Sequence, residues 1–132
     1  MTAIQKEKLN CIDIKCGDIV YADLGVPVGS EQGGIRPVLI ISNNSQNYYS
    51  PTILICPISS SPKKIAKKLP VHVFMPADKS TNGLKKDSVA LCEQIRTIDK
   101  SKILDKIGHC SSNLVPTLSN ALTITIGFFN YA

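Results

Sequence analysis

The chain has no tryptophan, and its four Tyr and three Phe make up only 5% of 132 residues. A core must therefore be built from aliphatic side chains. No run approaches the ~18 consecutive apolar residues that span a bilayer, which excludes a membrane-crossing helix. The first fourteen residues, MTAIQKEKLNCIDI, carry charge where a secretory signal needs an apolar segment, so a cytoplasmic protein is expected. Five cysteines (Cys11, Cys16, Cys56, Cys92, Cys110) occur without a CxxC pair. That spacing argues against structural zinc, whose ligands usually come in close pairs, and favours reduced thiols, several of them buried. GxxxxGK[ST], GxGxxG and GxSxG are all missing, so phosphate-loop, dinucleotide and serine-hydrolase chemistries lack their signatures. With two histidines, His72 and His109, and no clustered carboxylates, neither a metal nor a cofactor is expected, and histidine-based nucleophilic catalysis is disfavoured.

What is present is an ordinary globular balance, 43% hydrophobic and 19% charged, at the size of one domain. The net charge of +5 favours a polyanionic partner or merely non-specific stickiness. Of fifteen basic residues only two, Arg36 and Arg96, are arginine. They mark places where a planar, permanently charged fork is needed and lysine would not serve.

Strands are expected at GDIVYAD (17–23), RPVLIIS (36–42), PTILICPI (51–58), VHVFM and DSVALCEQ (87–94), with one more short strand at ILDKIGHC (103–110). The second and third should pair antiparallel. His72, alternating with Val71 and Val73, should face away from them. Five or six short strands punctuated by 8 Gly and 8 Pro argue a small barrel or strongly curved sheet. The chain then changes period. Leu114, Leu118, Ala121, Leu122, Thr125, Ile126 and Phe129 recur at helical spacing behind an N-cap at Ser111 or Ser112. Pro116 is awkward there, so the helix should open with a 3₁₀ turn or start later.

Three segments could carry chemistry. In GSEQGGIRP (29–37) paired glycines permit close backbone approach, and Arg36 leaves the loop fixed by Pro37. Ser30, Glu31 and Gln32 add a hydroxyl, a carboxylate and an amide. The plainer alternative is a hairpin loop with a surface salt bridge. SSSPKKIAKKLP (59–70) sets Lys63, Lys64, Lys67 and Lys68 beside hydroxyls, as either a solvated mobile loop or a rim that follows phosphates. EQIRTID (93–99) gathers Glu93, Gln94 and Arg96 at a strand end, where Gln94 could read a base edge. Tyr48 and Tyr49, in a turn, could stack on bases.

GDIVYADL, GSEQGGIRPVLIIS, SPTILICPIS and DSVALCEQIRTID together resemble the MazF/PemK-type toxins of bacterial toxin–antitoxin pairs. The likeness runs in order from about Lys15 to Phe129, which divides the chain into an N-terminal extension, 1–14, and a toxin domain, 15–130. It implies a mainly β, SH3-like barrel with a C-terminal helix, a homodimer, a cognate antitoxin, and metal-independent, sequence-specific cleavage of single-stranded RNA. Residue by residue, it implies a catalytic Arg36, with Ser59 at the position where the family commonly carries threonine. Products would be a 2′,3′-cyclic phosphate and a 5′-hydroxyl. Glu31, the one carboxylate in the motif loop, is the candidate base; Ser30, Gln32, Gln94, Arg96, Lys63 and Lys64 are the candidate RNA contacts. Two other readings stay open: a non-catalytic barrel toxin that binds a protein such as DNA gyrase, and a catalytically decayed RNA binder.

Overall fold

The computed structural model describes residues 13–130. Most of the extension expected at 1–14 lies outside them. Asp13 and Ile14 are described, and Ile14 is buried among the aliphatic side chains of the sheet.

Among the described residues, seven antiparallel strands carry the fold: β1 (Asp18–Asp23), β2 (Ile35–Ile40), β3 (Thr52–Ser59), β4 (His72–Met75), β5 (Ser88–Leu91), β6 (Arg96–Asp99) and β7 (Ile103–His109). Their order is β4-β5-β3-β2-β1-β7, with β6 also pairing β3. One edge of the long β3 meets β2. Its other edge is shared, Thr52–Ile55 pairing with β6 and Ile58–Ser59 with β5. The sheet is not closed, so the expected barrel holds only loosely. β6 is a strand of its own where the sequence suggested a strand end. It exists because a 3₁₀ turn, Cys92–Gln94, redirects the chain between β5 and β6.

Period-two alternation on the central strands feeds two aliphatic cores. Val20, Val38, Ile40, Ile53, Ile55, Ile98 and Ile103 fill one face. Ile19, Leu39, Cys56, Ile58, Val73 and Met75 fill the other, under Leu118 and Ala121 of the C-terminal helix. Fully burying such a side chain contributes about 1.5–3 kcal/mol, which is how a chain without tryptophan holds together.

Among the described residues, three α-helices decorate this sheet. α1 (Asn44–Tyr49) forms where the sequence suggested a plain turn, because Asn43 caps it by accepting from the Gln46 N–H at 2.8 Å. Tyr48 and Tyr49 sit on it, exposed, their rings edge to face at 4.7 Å. α2 (Pro62–Lys67) replaces the expected loop: Pro62 opens it, and Lys68 in the left-handed region ends it. α3 (Val115–Thr125) follows a 3₁₀ turn at Ser112–Leu114, with the Ser111 hydroxyl accepting from the Asn113 N–H. Pro116 thereby falls in the first helical turn, where a missing N–H costs nothing. Phe129 is 72% exposed and lies beyond α3, so it does not belong to the buried stripe expected of it.

Candidate nucleic-acid interface and active site

The loop between β1 and β2 is closed by its own backbone. Gly34 donates to the Gly25 carbonyl at 2.7 Å and accepts from the Leu24 N–H at 3.0 Å, with φ of 73°. This delivers Arg36 to the start of β2, half-buried. Its Nε donates to the Gly33 carbonyl at 2.9 Å. One terminal nitrogen donates to Gln32 Oε1 and lies 3.4 Å from the Ile58 carbonyl. Partial burial lowers the Arg36 pKa from its ordinary value. The group is thus a cation fixed by three neutral acceptors rather than cancelled by a carboxylate.

Ser59 ends β3, one residue beyond the Ile58 carbonyl that Arg36 reaches. Ser59 is 6% exposed, and its Oγ accepts from the Ser61 N–H at 3.2 Å.

Beside this pair a cleft of about 380 Å³ is lined by Ser30, Glu31, Gln32, Pro57, Glu93, Gln94, Ile95 and Arg96. The fold therefore gathers the motif loop and the EQIR segment into one depression, although they are distant in sequence. Gln94 joins them: its Oε1 accepts from the Gln32 N–H at 2.9 Å, and its Nε2 donates to the Ser30 carbonyl at 3.3 Å. Both ends of that amide thus engage the loop backbone, which makes Gln94 a brace before anything else. Glu31 is exposed, and among the described residues its carboxylate forms no ion pair. Lys63 and Lys64 sit on α2, just beyond Ser59, and do not line the cleft.

Sequence reasoning assigned no site role to Pro57, Ile95 or Glu93, which line the cleft, or to His72, whose Nε2 lies 2.7 Å from Glu93 Oε2. His72 alternates with buried Val73 as expected, yet its side chain is only 6% exposed. Among the described residues no group of three or more His, Cys, Asp and Glu could hold a metal ion, and no helix is long and apolar enough to cross a membrane.

Residues 15–126 match the family described as the PemK-like, MazF-like toxin of type II toxin-antitoxin system. Endoribonuclease EndoA of Bacillus subtilis is 43% identical over 118 residues, covering 89% of this chain and 98% of that protein. Endoribonuclease MazF of Staphylococcus saprophyticus is 45% identical over 111 residues, 84% of this chain and 89% of that one. Among solved structures, MazF from Deinococcus radiodurans superposes with a TM-score of 0.73 at 24% identity, covering 89% of this chain and 99% of that one. A mycobacterial endoribonuclease solved with its cognate antitoxin gives 0.69 at 21%, covering 87% and 96%. At such identities these structures speak for the fold.

Proposed function

From the premise that the chain belongs to the PemK-like, MazF-like toxin family, we propose that it is the endoribonuclease toxin of a type II toxin–antitoxin pair. It acts in the cytoplasm as a homodimer, cuts single-stranded RNA at a preferred sequence without a metal, and is silenced by a cognate antitoxin. Its near-complete coverage of relatives named endoribonucleases supports the activity. Nothing in those relatives supports the gyrase-binding alternative.

The observation that carries the mechanism is Arg36 braced by Gly33, Gln32 and Ile58, the last of them the chain neighbour of Ser59. RNA brings its own nucleophile, the 2′-hydroxyl beside the scissile phosphate. In the proposed reaction the 2′-oxygen bonds to phosphorus and its proton leaves. The bond from phosphorus to the 5′-oxygen breaks, and that oxygen takes up a proton. A 2′,3′-cyclic phosphate and a 5′-hydroxyl result. Arg36 stabilises the charge that builds on the non-bridging oxygens, a task its geometry suits because it is oriented before substrate arrives. Ser59 adds a further donor. Glu31, exposed at the cleft and without an ion pair among the described residues, takes the 2′-proton in this reaction. Ser30, Gln32 and Arg96 hold the RNA, and Lys63 and Lys64 extend the path for its backbone.

Primer extension on RNA incubated with the purified chain tests this reading. Discrete cuts at one short motif, persisting in EDTA and leaving cyclic phosphate ends, are expected. Intact RNA would refute it.

A further inference from the structure

One histidine–carboxylate contact at the cleft has no part in that mechanism. His72 on β4 has a side chain 6% exposed, and its Nε2 lies 2.7 Å from Glu93 Oε2. Its other ring nitrogen is buried without a hydrogen-bond partner. A core histidine normally finds partners for both nitrogens, because an unpaired buried polar atom is costly. Here the ring makes one contact, and that contact fixes a carboxylate. Glu93 in turn is 34% exposed and lines the cleft between the motif loop and Arg96.

We propose that Glu93, positioned by His72, reads RNA sequence by accepting a hydrogen bond from the exocyclic amine of an unpaired base seated in the cleft. The assignment rests on the RNA-cleaving function proposed above. A carboxylate accepts and cannot donate. With Oε2 engaged by the imidazole, Oε1 is the acceptor left for the cleft. Adenine, cytosine and guanine each offer an amine on the edge that single-stranded RNA exposes. Uracil offers two carbonyl oxygens flanking one N–H, and these repel an anion. The neighbouring Gln94 cannot make this distinction as cleanly, because an amide both donates and accepts, and its two ends already hold the Gln32 and Ser30 backbone. Arg96, lining the same cleft, offsets the cost of bringing a carboxylate near a polyanion. The burial and geometry of His72 make it a positioning residue: it restricts the Glu93 side chain without itself reaching the cleft lining.

The test changes the substrate first. With the full chain and its mapped cut site, single bases are replaced by analogues that lack only the amine: purine riboside for adenosine, inosine for guanosine, a 4-deamino pyrimidine for cytidine. One position should lose about 10–100-fold in kcat/KM, the scale of one hydrogen bond to a charged group. In Glu93→Gln, uracil should become acceptable at that position, because the amide can donate to a carbonyl. His72→Phe should blur the same preference, and His72→Gln, which keeps a donor near Nε2, should restore it. A purely structural contact would alter stability and leave base preference alone. Cleavage of every deamino analogue at the parent rate, or an unaltered cut-site pattern in an active Glu93→Gln, overturns the assignment while leaving the nuclease standing. Failure of the unsubstituted chain to cut any RNA removes both.

Discussion

The side-chain oxygen of Gln94 accepts the backbone N–H of Gln32 at 2.9 Å across 62 residues of sequence. That bond welds the 3₁₀ turn after β5 to the loop before β2. Gln32 also accepts from Arg36, so the brace reaches the Arg36 guanidinium through one intermediary.

Gln94→Ala should therefore act on the loop rather than on the core. It frees the Gln32 N–H and the Ser30 carbonyl together, and the loop that aims Arg36 gains freedom. Misplacing a reactive group by about 1 Å costs on the order of 10²-fold. Single-turnover cleavage should fall ten- to a hundred-fold with Tm shifted by no more than about 2 °C, on the scale expected when a partly exposed bond is lost. A rate equal to the parent's would show that the loop keeps its aim without the brace.

Arg36→Ala removes the preorganised cation, and on the order of 10²–10³ in rate should go with it. Arg36→Lys should lose nearly as much, since an ammonium cannot bond Gly33, Gln32 and phosphate with one rigid fork. Both variants should still bind RNA, measured by fluorescence anisotropy on an oligonucleotide whose 2′-hydroxyl is blocked. Full activity in either would take Arg36 out of the reaction.

Gly33 is the tight point of the loop. A Cβ there would fall 2.5 Å from Pro27 Cδ and 2.8 Å from the Gly25 carbonyl oxygen, so backbone must move. Gly33→Ala should cost about 1–3 kcal/mol, the usual penalty of overpacking. It should also lower cleavage more than it lowers binding, because Arg36 leans on the Gly33 carbonyl. Thermal unfolding and kcat measured on one preparation separate the two effects.

The strands were legible because Val, Ile and Leu cluster in short runs between Gly, Pro and Asn. The pairing of β2 with β3 followed from their adjacency. The length of the interrupted segment hid β6: EQIRTID carries too few apolar residues to announce a strand, and β3 had to be long enough to offer it an edge. α1 and α2 were invisible because six-residue helices owe their existence to a cap and a proline rather than to periodicity. At the site, the motif residues were legible one by one. Their convergence was not, since Gln94 and Gln32 meet only through the fold. His72 gave a sequence signal in its alternation with Val73, but its partner Glu93 lies beyond the next strand, in the 3₁₀ turn after β5.

Acid should weaken two turns. Asp78 is held below its ordinary value chiefly by the Ser80 hydroxyl, with Thr81 adding to it, and Asp99 by Ser101. The native state therefore keeps these carboxylates ionised where the unfolded chain, with Asp near ~3.9, has begun to bind protons. Their contribution is whole above that value and is lost as pH falls through it toward the lower native values. Urea midpoints should hold from pH 7 to 5 as far as these turns are concerned, then decline. Asp78→Asn with Asp99→Asn should flatten the decline, and an unchanged slope would clear both turns of the effect.

Thiol chemistry offers a check on the core itself. Cys56 and Cys92 are fully buried with their sulfurs 3.9 Å apart. The Cys56 thiol, donating to Cys92 and taken out of water, is pushed well above its ordinary value. Cys16 is exposed and Cys110 half-buried, and burial raises both more gently. Only a thiolate alkylates, and only where reagent can reach it. Iodoacetamide at pH 8, followed by peptide mass spectrometry, should therefore, among the four described cysteines, modify Cys16 first and Cys110 more slowly. Cys56 and Cys92 should react only as fast as the chain opens, both at one shared rate that rises with urea. A Cys56 labelled in native buffer as quickly as Cys16 would mean that β3 is not sealed between the two cores. The strand bearing Ser59 would then be too loose to hold that hydroxyl in place.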